Sequence, residues 1–280
     1  MVLSQTTNVT EKSAIINIHP TAIISKDVKL APGVNIGPYS VLSGNISIGE
    51  NTYLGPHVVI EGNVIIGKNC KLIANCCIGL EPQDLSYKGE DTGVEIGDNT
   101  VLREYVTVHR ASKEGKTVIG ENCFLMNNAH VAHNAQVGNN VIMANSSILA
   151  GHVVVEDFVF ISALSVFHQH CRIGESAMIG GMTRSRLDIP PYFLADGRPA
   201  KIRGVNRVGL RRRGIKREII DEIIKAFKII YGSGLNTSNA LNKIESELTQ
   251  FDEIKKLLSF YRSSKRGVVT VGSEAEDETL

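Results

Sequence analysis

IHPTAIISKDVKLAPGVNIG, residues 18–37, carries an aliphatic side chain at every sixth position: Ile18, Ile24, Leu30 and Ile36. An amphipathic helix repeats every 3.6 residues and a half-buried strand every two, so neither accounts for a beat of six. The beat runs on without a miss through Leu42, Ile48, Leu54, Ile60, Ile66, Leu72 and Ile78. After a break it resumes at Ile96, Leu102 and Val108, and after a second break it runs from Ile119 to Ile179. The next residue is often glycine, as in IGP, IGE, LGP, IGK, IGD and VGN. Such a period reads as a short strand plus a tight turn, with one aliphatic pointing inward per unit and glycine tolerating the turn. Three units close a triangular coil of about 18 residues, so residues 16–188 predict a mainly β domain, a parallel β-helix of roughly eight coils.

The cysteines keep the same register. Cys70, Cys76, Cys123 and Cys171 fall four residues after a beat, a phase they share with Val28, Val34, Val58, Ala129 and Val141. They read as core fillers and not as nucleophiles. Five cysteines without CxxC spacing suit a reducing compartment and give no zinc knuckle. Aromatic residues are scarce at 5%, with no Trp, and a net charge of +1 gives no global pull toward nucleic acid or membrane. The start lacks the basic and apolar segments of a secretory signal, and no run of about 18 apolar residues is present to span a bilayer. A cytoplasmic protein without a membrane span is expected, with no metal or other cofactor.

Two stretches break the beat, near 82–93 and 111–117. Loops that interrupt a solenoid project from it, and scaffold-borne function usually sits on such loops. The first is dense in groups able to hydrogen-bond a sugar: Gln83, Asp84, Tyr87, Lys88 and Glu90. From 189 a connector, IPPYFLADGRPAKIRGVN, leads into helical spacing up to 265, with helices over 217–231, from a cap at Ser238, and over 251–262. Such helices would cover the open end of the coils, where strand edges are otherwise unpaired. Residues 1–15 and the acidic 266–280 read as tails.

In NNAHVAHNAQVG, residues 127–138, the register places His133 below Gly151, and Gly151 below Gln169; the adjacent column is Asn134, His152 and His170. An imidazole next to a backbone with no side chain to block approach is the minimum apparatus for acyl transfer, a base beside an unobstructed N–H donor. His130 and His168 lie close. Two other readings stay open on residues alone: idle polar residues at solenoid turns, and a zinc site built from the imidazoles, as in a hydratase.

The hexads together with QDLSYKGE, REYVTVHRAS, NNAHVAHNAQVG, LAGHV, FHQHC, MIGGM, IPPY and GVNRVGLRRRG, in that order from about residue 15 to 265, closely resemble the cytoplasmic UDP-N-acetylglucosamine O-acyltransferases that begin lipid A synthesis. The resemblance implies a left-handed β-helix and a homotrimer with sites between prisms. It further implies that His133 is the general base that frees the sugar 3-hydroxyl to attack a 3-hydroxyacyl thioester on acyl carrier protein, and that Gly151 is the backbone donor to the oxyanion. Gln83 and Asp84 match residues holding the amino sugar, and His130, His152, His168 and Gln169 line the same site. Asn206, Arg212 and Arg213 match nucleotide and diphosphate contacts. Gly181, with Met182 beside it, matches the position that limits acyl-chain length. The basic residues between Arg184 and Arg217 suit an acidic carrier protein. The sequence departs from the family pattern at Asn134, where Asp is usual, at Ser86, where Lys is usual, and at Arg198-Pro199. A related N-acyltransferase shares the prism but usually has a separate N-terminal domain, and an acetyl-CoA-dependent sugar acetyltransferase would lack the QDL loop and the RRRG segment. An inert β-helical scaffold is the remaining alternative.

Overall fold

The computed structural model describes residues 15–272; the expected N-terminal tail, Ile15 apart, and the acidic residues 273–280 lie outside the described residues. The beat of six becomes geometry directly. Each unit is a strand of two to four residues ending on or just after the aliphatic beat, and successive strands go in turn to three parallel sheets of 11, nine and eight strands. These sheets are the first, second and third faces of a triangular prism, the left-handed parallel β-helix. Strands stack in register, His130 on Ile148 on Val166, and each beat residue lies on another beat residue, as Val131 on Leu149 on Phe167. The interior is therefore a ladder of aliphatics: Leu54, Ile60, Leu72, Ile78, Leu125, Leu149 and Ile161 are fully buried. Cys70, Cys76, Cys123 and Cys171 are buried among them, and burial pushes their thiols up, to about 12 for Cys76 and about 11 for Cys123 and Cys171. They stay protonated and unreactive near neutral pH.

The turns between faces require left-handed backbone, which Asn tolerates best among residues with a side chain. Asn51, Asn69, Asn99, Asn122, Asn134 and Asn140 all take φ near 60°. Both interrupting loops leave from the same edge of the prism, between the second and third faces, spanning 81–92 and 110–115. The strands on either side stay in register across them, Lys71 on Val101 on Phe124. Arg110 braces the first loop, with Glu61 at 3.5 Å, Glu81 at 3.4 Å and its guanidinium over the Tyr87 ring.

The last coil is closed by an antiparallel hairpin, Phe193–Asp196 with Lys201–Val205, which ends the first face. Four helices follow: α1 (Arg207–Arg212), α2 (Arg217–Gly232), α3 (Thr237–Glu247) and α4 (Asp252–Ser263). Their apolar stripes, including Leu210, Ile220, Ile223, Ile244 and Leu257, continue the core of the prism, and Phe193 packs edge-on against Phe227 at 5.4 Å. Three expectations change here. The cap of α3 is Asn236, which accepts from Asn239 N, and not Ser238, which lies inside the helix. The helix α1 has no counterpart in the sequence reading. Residues 266–272, expected to belong to the tail, instead pack on the fold, because Val268 bridges Asp188, Val269 is buried and Val271 bridges Ile202. No helix among the described residues is long and apolar enough to cross a membrane.

Candidate active site

Along the edge between the second and third faces, consecutive coils present His133, then Gly151 and His152, then Gln169 and His170. The register argument holds at atomic detail. A Cβ added to Gly151 would stand 2.5 Å from both Cε1 and Nε2 of His133, so the ring packs directly against the glycine and any larger residue there must push it aside. The flanking amides are committed, Ala150 N to Phe167 O and His152 N to His133 O at 3.0 Å. Gly151 N–H has no backbone partner among the described residues.

His133 Nδ1 lies 3.0 Å from Asn134 Oδ1. His152 meets the His133 ring edge-on at 5.3 Å and stacks on His170 at 4.6 Å. Burial and the neighbouring His170 and His133 hold the His152 imidazole below its ordinary range. On the strand that leads into the His133 turn, His130 bonds Thr107 Oγ1 of the preceding coil at 2.7 Å and meets His109 edge-on at 5.1 Å. Burial, then His109 and His133, depress His130 to about 4, so it works as a neutral hydrogen-bonding ring. The two loops join the site through Ser112. Its hydroxyl donates to Asp84 Oδ2 at 2.7 Å, and Ser86 N donates to Asp84 Oδ1 at 2.9 Å. These bonds hold the Asp84 carboxylate down to about 2. Gln83 is exposed on the same loop. His168 is exposed, its Nδ1 3.3 Å from Arg266 Nη2. Among the described residues no group of three His, Cys, Asp or Glu side chains is set to hold a metal ion.

Asn206, Arg212 and Arg213 lie elsewhere. Asn206 caps α1, accepting from Gly209 N, and donates to Ser176 O at 2.9 Å. Arg213 pairs with the buried Glu175, donates to Ser176 Oγ and covers the Phe158 ring at 3.9 Å. Ser176 and Phe158 are turn residues of the edge between the third and first faces. Arg212 is exposed at the end of the same helix. Within one chain, then, the histidine cluster and the expected phosphate-binding group occupy different edges of the prism. Gly181 and Met182 sit on the third edge, between the first and second faces, both exposed. Ser112 and His109 were not singled out by sequence. A loop insertion hides the first from any register count, and the second has no column partner until the coils are stacked.

The family pattern described as UDP-N-acetylglucosamine O-acyltransferase, domain 2, matches residues 188–269, and the bacterial transferase hexapeptide pattern matches 45–79 and 116–151. An acyl-[acyl-carrier-protein]–UDP-N-acetylglucosamine O-acyltransferase of Myxococcus xanthus is 46% identical over 90% of this chain and 98% of its own length. One from Aquifex aeolicus is 50% identical over 68% of this chain and 74% of its own. The solved UDP-N-acetylglucosamine acyltransferase of Francisella novicida superposes with a TM-score of 0.89 at 32% identity, covering 94% of this chain and 96% of that one. The Moraxella catarrhalis enzyme gives 0.86 at 38% identity, covering 90% and 99%. With likeness of this extent in both sequence and fold, the chain belongs to the family of UDP-N-acetylglucosamine O-acyltransferases.

Proposed function

We propose that this chain moves a 3-hydroxyacyl group from acyl carrier protein to the 3-hydroxyl of UDP-N-acetylglucosamine, the opening step of lipid A synthesis, in the cytoplasm. The observation that carries this reading is the His133 ring packed directly against Gly151 through Cε1 and Nε2. Nε2 takes the proton of the sugar hydroxyl, whose oxygen attacks the thioester carbonyl. The oxyanion that forms is met by Gly151 N–H, a donor fixed before the charge develops. Collapse of the tetrahedral intermediate breaks the C–S bond, and the imidazolium returns its proton to the departing thiolate. Asp84 and Gln83 suit the hydroxyl and amide groups of the sugar. The names of the relatives and the contact of the His133 imidazole with Gly151 support this chemistry over that of an inert scaffold, and the test is turnover of a defined acyl carrier thioester with the nucleotide sugar, followed by mass spectrometry.

The division of the site between two edges supports a homotrimer in which Arg212 of one subunit completes the site begun by His133 of the next. Leu85, fully exposed beside Asp84, and the exposed Tyr105, Ile148, Leu164 and Val166 supply apolar surface for such packing. Light scattering should give three times the chain mass; a monomer that is fully active would contradict this assembly.

Gly181 tests the acyl-length role. A Cβ there meets nothing nearer than Ala163 O at 3.7 Å, an ordinary contact, so a larger residue folds without strain and projects from the surface. Gly181→Met is expected to leave the melting temperature unchanged and to favour a shorter acyl chain, with discrimination of about 10–200-fold against the chain the parent prefers. Competition between carriers of different acyl length, read by product mass, checks it.

A further inference from the structure

Asn134 has an ordinary reading as a turn residue, since its φ of 60° matches the asparagines at other corners. Its side chain does more than the turn requires. Oδ1 accepts from Ser112 N at 2.8 Å, and a backbone amide can only donate. Nδ2 donates to Glu114 O at 3.0 Å, and a carbonyl can only accept. The two ends of the amide are therefore distinguished by groups with no choice of role, so its orientation is fixed chemically. The atom presented to His133 Nδ1 at 3.0 Å is the oxygen. An oxygen with lone pairs alone demands a proton on Nδ1, which leaves the lone pair of the neutral ring on Nε2, the nitrogen against Gly151.

The geometry points to Asn134 as a positioning residue that sets the tautomer of His133, with the 110–115 loop, through Ser112 N and Glu114 O, setting Asn134 in turn. This inference rests on His133 being the base, and it explains how a neutral amide can serve beside that base in place of a carboxylate. A carboxylate accepts whichever way it turns. An amide turned round would present NH2 and hold the wrong tautomer, a fault that costs about 10⁴ in kcat in a serine protease triad. The loop is what removes that ambiguity. Ser112 also binds Asp84, so the sugar-binding loop and the tautomer of the base hang on one buried residue.

Long-range 1H–15N spectra of the labelled full-length protein read the tautomer without any turnover. In the parent, His133 should show a protonated Nδ1 and a bare Nε2. Asn134→Gly keeps the left-handed turn free of strain while removing the acceptor. It is expected to shift His133 toward the Nε2–H form and to lower kcat about 10–100-fold with KM little changed, the scale on which supporting hydrogen bonds act. Asn134→Asp keeps the acceptor; it should keep the Nδ1–H form and most of kcat, and move the acid limb of the pH profile up by about one unit, since a carboxylate favours the imidazolium. His109, His130, His152, His170 and Asp84, the other titratable groups around the ring, are the same in both variants. A bare Nδ1 in the parent, or an Asn134→Gly protein that keeps both the tautomer and kcat, overturns the inference. Loss of the base role itself would show separately, as activity surviving in His133→Ala while Asn134→Gly still shifts the His133 tautomer.

Discussion

His133→Ala lowers turnover about 10²–10⁴-fold and leaves the protein folded, the contribution usual for a positioned general base. The fold is indifferent to this ring because the residue's structural duty is carried by its backbone: His133 O accepts His152 N, and Asn134 N donates to Thr117 Oγ1 at 2.8 Å. The side chain is half-buried at a corner and not part of the aliphatic ladder. Alanine removes an edge-on contact with His152 on the next coil and the bond to Asn134, while the backbone bonds that stack the two coils stay in place. Initial rates with saturating acyl carrier thioester and nucleotide sugar, set beside a thermal melt, separate the two effects. Activity within about tenfold of the parent would remove His133 from the mechanism.

Gly151→Ala has an expected cost of about 10²–10³ in kcat for the opposite reason, because it adds an atom. The glycine is not in the left-handed region, so alanine is compatible with its backbone. The added methyl would meet Cε1 and Nε2 of His133 at 2.5 Å, and the ring, as the movable partner, must swing out. That movement breaks the bond to Asn134 and carries the base away from the amide it is meant to work beside. The melting temperature should change little, while kcat falls and binding of the nucleotide sugar is largely kept. A variant with parental kcat would show that the contact of ring and glycine is incidental.

How far the sequence carries is visible in particular residues. Leu54, Ile60 and Ile161 are fully buried as the sixfold beat predicts, but Ile18, on the same beat, is 44% exposed. Phase says which way a side chain points, and among the described residues no coil lies beneath the first one to cover it. The column His133–Gly151 was legible because no insertion falls between the two, so counting along one coil finds the neighbour. The contacts Asp84–Ser112 and Ser112–Asn134 were not, because each crosses a loop that breaks the count. The helix α1 escaped notice because RVGLRR buries only Leu210 and is held by the Asn206 cap, which leaves no periodic stripe. Arg213 reads from sequence as an anion-binding residue; in the fold its guanidinium already neutralises Glu175, which also accepts from Lys256. Charge identity is plain in the sequence, whereas the partner that satisfies it lies 38 residues away.

The central claim is that one edge of the prism supplies the base and another edge, on a neighbouring subunit, supplies the phosphate-binding arginine. Subunits carrying His133→Ala and subunits carrying Arg212→Ala, each inactive alone, can be tagged differently, co-expressed and purified as mixed assemblies. If sites lie between subunits, a random mixture recovers about a quarter of the parental activity, because that fraction of interfaces pairs an intact His133 with an intact Arg212. If every site lies within one chain, each chain still carries a lesion, and the mixed assemblies stay inactive.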